Sequence, residues 1–153
     1  MKSLFYYNWQ VRDEWFQLCG KLSNEELLAK RTGGFGNILH TLLHIVVVEY
    51  DWIHDITGEP VADVSPEDFR TLDDVIVLHK TWQPEVKSFV EAWSDELHDK
   101  PLILENGKYQ FTYGEVMQHL IAHEIHHVGQ LSVWARELGL TPVNANFINR
   151  GLK

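Results

Sequence analysis

The chain has 153 residues, 44% of them hydrophobic and 23% charged, which is enough apolar material for a buried core. Its formal net charge of -9, with 13 Lys and Arg spread along the chain and no basic stripe, would repel a phosphate backbone and argues against a nucleic-acid partner. Cys19 is the only cysteine, so an intrachain disulfide is excluded, and the expected compartment is the reducing cytoplasm.

The N-terminal MKSLFYYNWQVRDEWF breaks its apolar run at Gln10, Arg12, Asp13 and Glu14, so neither a signal h-region nor a membrane partner is expected. Leu4, Phe5, Trp9, Val11, Trp15, Phe16 and Leu18 instead recur at helical spacing, which predicts a first helix over about 4–19, ending before Gly20. Ser23-Asn24-Glu25-Glu26 has the form of a capping box and predicts a short helix to about Lys30. Gly33, Gly34 and Gly36 then make a loop. From Asn37 to Thr57 the text is largely apolar and free of proline and glycine, so a second long helix is expected, closed by Gly58.

Thr71-Leu72-Asp73-Asp74 caps a third long helix reaching about Leu97, with a kink expected at Pro84. Asn106-Gly107, between two short runs containing strand formers, predicts a tight type I′ hairpin. Thr112-Tyr113-Gly114-Glu115 is another capping box and opens a fourth long helix to about Leu138, with Gly139 after it. The expected architecture is all-α: one domain over residues 1–153, a four-helix bundle with a small β-hairpin between helices three and four. In the tail, Phe147 and Ile148 are expected to dock on the bundle or on a second subunit.

Chance placement of 9 histidines in 153 residues gives roughly 0.5 pairs at spacing i,i+4. The chain has three: His40/His44, His119/His123 and His123/His127. Positions four apart stack on one helix face, where two imidazoles can grip one cation. With His44 on the facing helix the chain can supply three nitrogen ligands, suited to Zn²⁺, Ni²⁺, Fe²⁺ or Co²⁺ and leaving a coordination position open. His40, Glu49, Asp51, His119, Glu124, His126 and Gln130 are available as partners for the ligand rings, although Glu49 and Glu124 read more simply as outward-facing charges. His54, His79 and His98 read as solvated, and Cys19 as a small buried apolar residue.

LLHIVVVEYDWI, followed about 70 residues later by HLIAHEIHHVGQLSVWARELG, resembles the DinB/YfiT-like superfamily, as do FYYNWQVRDEWFQLC and KLSNEELLAK nearer the start. The segment His44, Glu49, Trp52 is similar to that family's H-x4-E-x2-W pattern. The resemblance implies an up-down-down-up bundle, often a homodimer, with a divalent metal, zinc or nickel first among the choices, held by His44, His123 and His127. It also implies a relation to transferases that use a low-molecular-weight thiol such as bacillithiol, acting on a small-molecule substrate. A metal-dependent hydrolase and a non-catalytic, stress-related metal-binding bundle are the alternatives. One departure is Val128, where many relatives carry arginine in HHRGQ, so no contact made by that arginine carries over; Gly129 and Gln130 match.

Overall fold

A computed structural model describes residues 1–152. Four long helices, α1 (Lys2–Cys19), α3 (Ile38–Thr57), α4 (Leu72–Ala92) and α5 (Tyr113–Glu137), form the bundle, with a short α2 (Asn24–Leu28) between the first two. A two-stranded antiparallel hairpin, β1 (Pro101–Leu104) and β2 (Tyr109–Thr112), precedes α5. Capping boxes start α2, α4 and α5, with the side chains of Ser23, Thr71 and Thr112 accepting from the backbone N–H groups of Glu26, Asp74 and Glu115.

The apolar stripes gather in two clusters, and membership in them gives the direction of each helix. Trp15 and Cys19, Leu39 and Leu42, Val75, and Leu131 and Trp134 share one cluster. Phe5 and Trp9, Ile53 and Ile56, Val86 and Val90, and Val116 and Leu120 share the other. Along the chain α1 and α5 therefore run one way and α3 and α4 the other, which is the up-down-down-up order. The main packing pairs α3 with α4 and α5, and α1 with the same two helices.

Each long helix contributes a buried side chain to one charged layer: Arg12, Glu49, His79 and Glu124, with Nη1 of Arg12 lying 3.4 Å from His79 Nδ1. This layer corrects the sequence reading of Glu49 and Glu124 as outward charges and of His79 as solvated. All are 6% exposed or less, because Arg12 gives the carboxylates a partner that allows their burial. His54 is buried as well, its ring between Pro60 O and Glu85 at 2.6 and 3.1 Å.

Other differences are local. The third long helix stops at Ala92, not near Leu97: Trp93 turns into the core, and the Ser94 hydroxyl accepts from Glu96 N–H to start a separate 3₁₀ turn over Asp95–Leu97. Helix α4 continues through Pro84. The hairpin turn is longer than type I′, since Leu104 pairs with Tyr109 and leaves a four-residue connection. Glu105, Asn106 and Gly107 all take positive φ there. In the tail, Phe147 packs on Tyr7 with ring centroids 5.6 Å apart and Tyr7 Oη donates to Ala145 O, whereas Ile148 remains 72% exposed. Among the described residues no helix is long and apolar enough to cross a membrane.

Candidate metal centre

His44 lies in the middle of α3, and His123 and His127 lie one turn apart on the antiparallel α5. Their side chains meet at the α3–α5 seam. His123 Nε2 is 2.9 Å from His44 Nε2 and 3.1 Å from His127 Nε2, and the donor atoms of all three lie within 4.8 Å of one another. Nitrogens about 2.0–2.1 Å from one ion are separated by roughly 2.9–3.4 Å for angles between the octahedral and tetrahedral values, and the two separations made by His123 fall in that range.

Proton accounting points the same way. Gln130 Oε1 can only accept, so His127 Nδ1–H donates to it at 2.7 Å and the neutral ring turns a lone pair at Nε2 toward its neighbours. The amide nitrogen of Gln130 lies 3.1 Å from His126 Nε2. One N–H on His123 satisfies one of its two nitrogen contacts, whereas a cation satisfies all three rings at once. Burial, then the neighbouring His127, pushes the His44 pKa down to about 4. Burial, followed by His127, His44, His119 and His126, pushes His123 down to about 3. Burial also lowers His127, against the opposing pull of Gln130. The three rings are therefore neutral at neutral pH, the form that ligates metal.

Most of the expected ring partners point elsewhere. His40 Nδ1 accepts from Asn37 Nδ2, and its other nitrogen lies 3.4 Å from Phe69 O. Asp51 accepts from Ala62 N–H. His119 packs edge-on to Trp52 and 5.6 Å from His123, centroid to centroid, without joining the cluster. Gln130 is the side chain that holds a ring of the cluster, that of His127, and His126 touches it from the exposed side.

Glu49 and Glu124 act through Arg12. Its Nη1 and Nη2 donate to Glu49 at 2.7 and 2.9 Å, and its Nε and Nη2 donate to Glu124 at 2.8 and 2.6 Å. Trp9 Nε1 adds a bond to Glu49 at 2.9 Å. Burial works against the Arg12 charge, but Glu124 and Glu49 outweigh it and raise its pKa above the ordinary arginine value. The guanidinium thus joins α1 to α3 and α5 beside the histidine cluster. Sequence reasoning missed this; the available signal was an arginine on the apolar face of α1, three residues after Trp9 and three before Trp15.

Phe35 was also missed. It stacks on His44 at 3.9 Å and 23°, carried by the glycine loop, where Phe35 N–H donates to Thr41 Oγ1. Gly34 has φ +52, and a Cβ there would come within 2.7 Å of the Trp134 ring and 2.9 Å of Gln130 Oε1, so only glycine lets the loop lie this close. With His40, Leu43, Val47 and Val64, Phe35 and His44 also line a cavity of about 140 Å³.

Fold and site together define a helical bundle with a three-histidine cluster able to hold a metal ion. The DinB family profile matches residues 1–150, and the chain belongs to that family. It is similar to the uncharacterized protein YizA of Bacillus subtilis (strain 168), at 49% identity over 155 residues that take in 100% of this chain and 97% of the relative.

Proposed function

We propose that the chain is one DinB-like domain in which His44, His123 and His127 bind a divalent cation, zinc or nickel, and that it transfers a small thiol to an electrophile. The observation that carries this reading is the convergence of three neutral Nε2 atoms with no fourth His, Cys, Asp or Glu donor beside them among the described residues. Structural zinc is normally closed by four protein ligands, so a three-histidine set favours an open, reactive site over a structural one. A cation held there supplies Lewis acidity and lowers the pKa of a thiol that reaches the open position.

The protein's own groups orient and shield that site. Gln130 fixes the His127 ring, Phe35 covers one face of His44, and the packed helices exclude water from the back. Glu49 and Glu124 are committed to Arg12, which leaves them unsuited as the general base a hydrolase would use. In the transfer a sulfur–carbon bond forms, the leaving group departs from the electrophile and the thiol proton passes to solvent. Metal-loaded protein should accelerate conjugation of bacillithiol, or another small thiol, to a panel of alkyl and aryl halides, and His44→Ala should abolish the acceleration. No acceleration with any thiol would contradict the transferase reading.

Homodimerisation and a cytoplasmic setting belong to the same proposal. Ala122, Ile125, Gly129 and Val133 form an exposed, largely apolar stripe on α5, suited to a second copy. Val133→Glu should then shift sedimentation from dimer to monomer; a monomeric parent protein would contradict the dimer. The lone buried Cys19 accords with a reducing compartment.

A further inference from the structure

A second concavity lies beside the histidine cluster, where α3, β2 and the first turns of α5 meet. Its volume is about 380 Å³, within the range of small-molecule sites, and Trp52, Phe111, Glu115, Val116 and His119 line it. We infer that this slot binds a planar, uncharged aromatic group and, resting on the transferase reading, that the group is part of the electrophile.

The walls favour that occupant. The Phe111 ring stands at 82° to the Trp52 indole with centroids 5.6 Å apart, and His119 stands at 71° to it at 5.9 Å. Rings set nearly perpendicular let a flat aromatic guest stack on one face while meeting the edge of another. The Tyr109 ring lies parallel to that of Phe111, with centroids 6.5 Å apart. Val116 closes the floor at 3% exposure.

Charge selects further. Glu115 is the only acidic or basic side chain of the lining apart from the His119 imidazole, and its carboxylate is held by Thr112 N–H at 2.7 Å in the capping box. A fixed negative charge in a chain of net charge -9 disfavours an anionic guest. His119 makes no side-chain hydrogen bond among the described residues, which leaves a ring nitrogen for one polar substituent of the guest. His119 is also one turn from His123 on α5, so a molecule seated in the slot reaches toward the cluster. The hairpin thereby acquires a task beyond closing the bundle, since β2 supplies Phe111.

The test is fluorescence titration of the full chain, metal-free and zinc-loaded, with N-phenyl-1-naphthylamine and with its anionic analogue 8-anilino-1-naphthalenesulfonate. The neutral probe should bind both forms, and its affinity should fall by about tenfold or more in His119→Trp, which fills the slot, and in Phe111→Ala, which removes a wall. Val77→Ser, at an exposed apolar position on α4, should leave binding unchanged, and the sulfonate should bind more weakly than the neutral probe. Far-UV dichroism checks folding; if Phe111→Ala loosens the hairpin, the exposed His119 position carries the test. Unchanged affinity in folded His119→Trp, or an equal loss in Val77→Ser, would overturn the assignment. Probe binding to metal-free protein is independent of the transferase reading: if conjugation fails while slot-dependent binding persists, the transferase reading falls and the slot stands.

Discussion

His127 uses one ring nitrogen to leave the other free. Its Nδ1–H is committed to Gln130, so Nε2 meets His123 as a lone pair, and the tautomer follows from one amide. His79 illustrates a different use of a buried imidazole. Burial first, then the charges of Arg12 and Lys80, push its pKa from 6.5 down to about 3. Below 6.5 the unfolded chain takes up a proton that the native ring refuses. The stability conferred is therefore present above that value and lost as pH falls toward 3, at up to about 1.4 kcal/mol per pH unit for each such histidine. Urea unfolding of metal-free protein between about pH 7 and pH 5 should show a shallower loss in His79→Gln than in the parent. Identical slopes would contradict the buried neutral ring.

At the scale of elements, three of the four long helices, α1, α3 and α5, are tied at mid-height by one arginine. Arg12 is 1% exposed and makes four charged hydrogen bonds to carboxylates on α3 and α5. Glu49 lies five residues beyond His44, and Glu124 is next to His123, so the clamp fixes the helices that carry the histidine cluster. Arg12→Met leaves two buried carboxylates unpaired and should destabilise the fold by about 3–5 kcal/mol in chemical denaturation at neutral pH. A loss below about 1 kcal/mol would show that the layer is not holding the bundle. Arg12→Lys should recover only part of the stability, because an ammonium cannot form both two-pronged contacts.

For the whole molecule, the sequence carried the elements whose signals are local. Helical periodicity and the boxes at Ser23, Thr71 and Thr112 located the helix starts, and Gly58 and Gly139 take the positive φ expected of helix-ending glycines. The spacing of His119, His123 and His127 revealed a histidine-bearing face, but telling which of them meet His44 required its position across the seam, or the family resemblance. Features decided between distant segments were not legible. The Arg12 layer joins residues up to 112 apart in sequence, so Glu49 and Glu124 looked like surface charges until their partner was in place. The four-residue hairpin connection depends on the pairing of Leu104 with Tyr109, which Asn106-Gly107 alone did not specify.

Metal content tests most directly whether the rings of His44, His123 and His127 share one cation. Elemental analysis of protein purified without added metal should find about one divalent ion per chain in the parent and in His119→Ala, and a small fraction of that in His44→Ala, His123→Ala and His127→Ala. Metal content undiminished in these three variants, each shown to be folded, would contradict a shared cation.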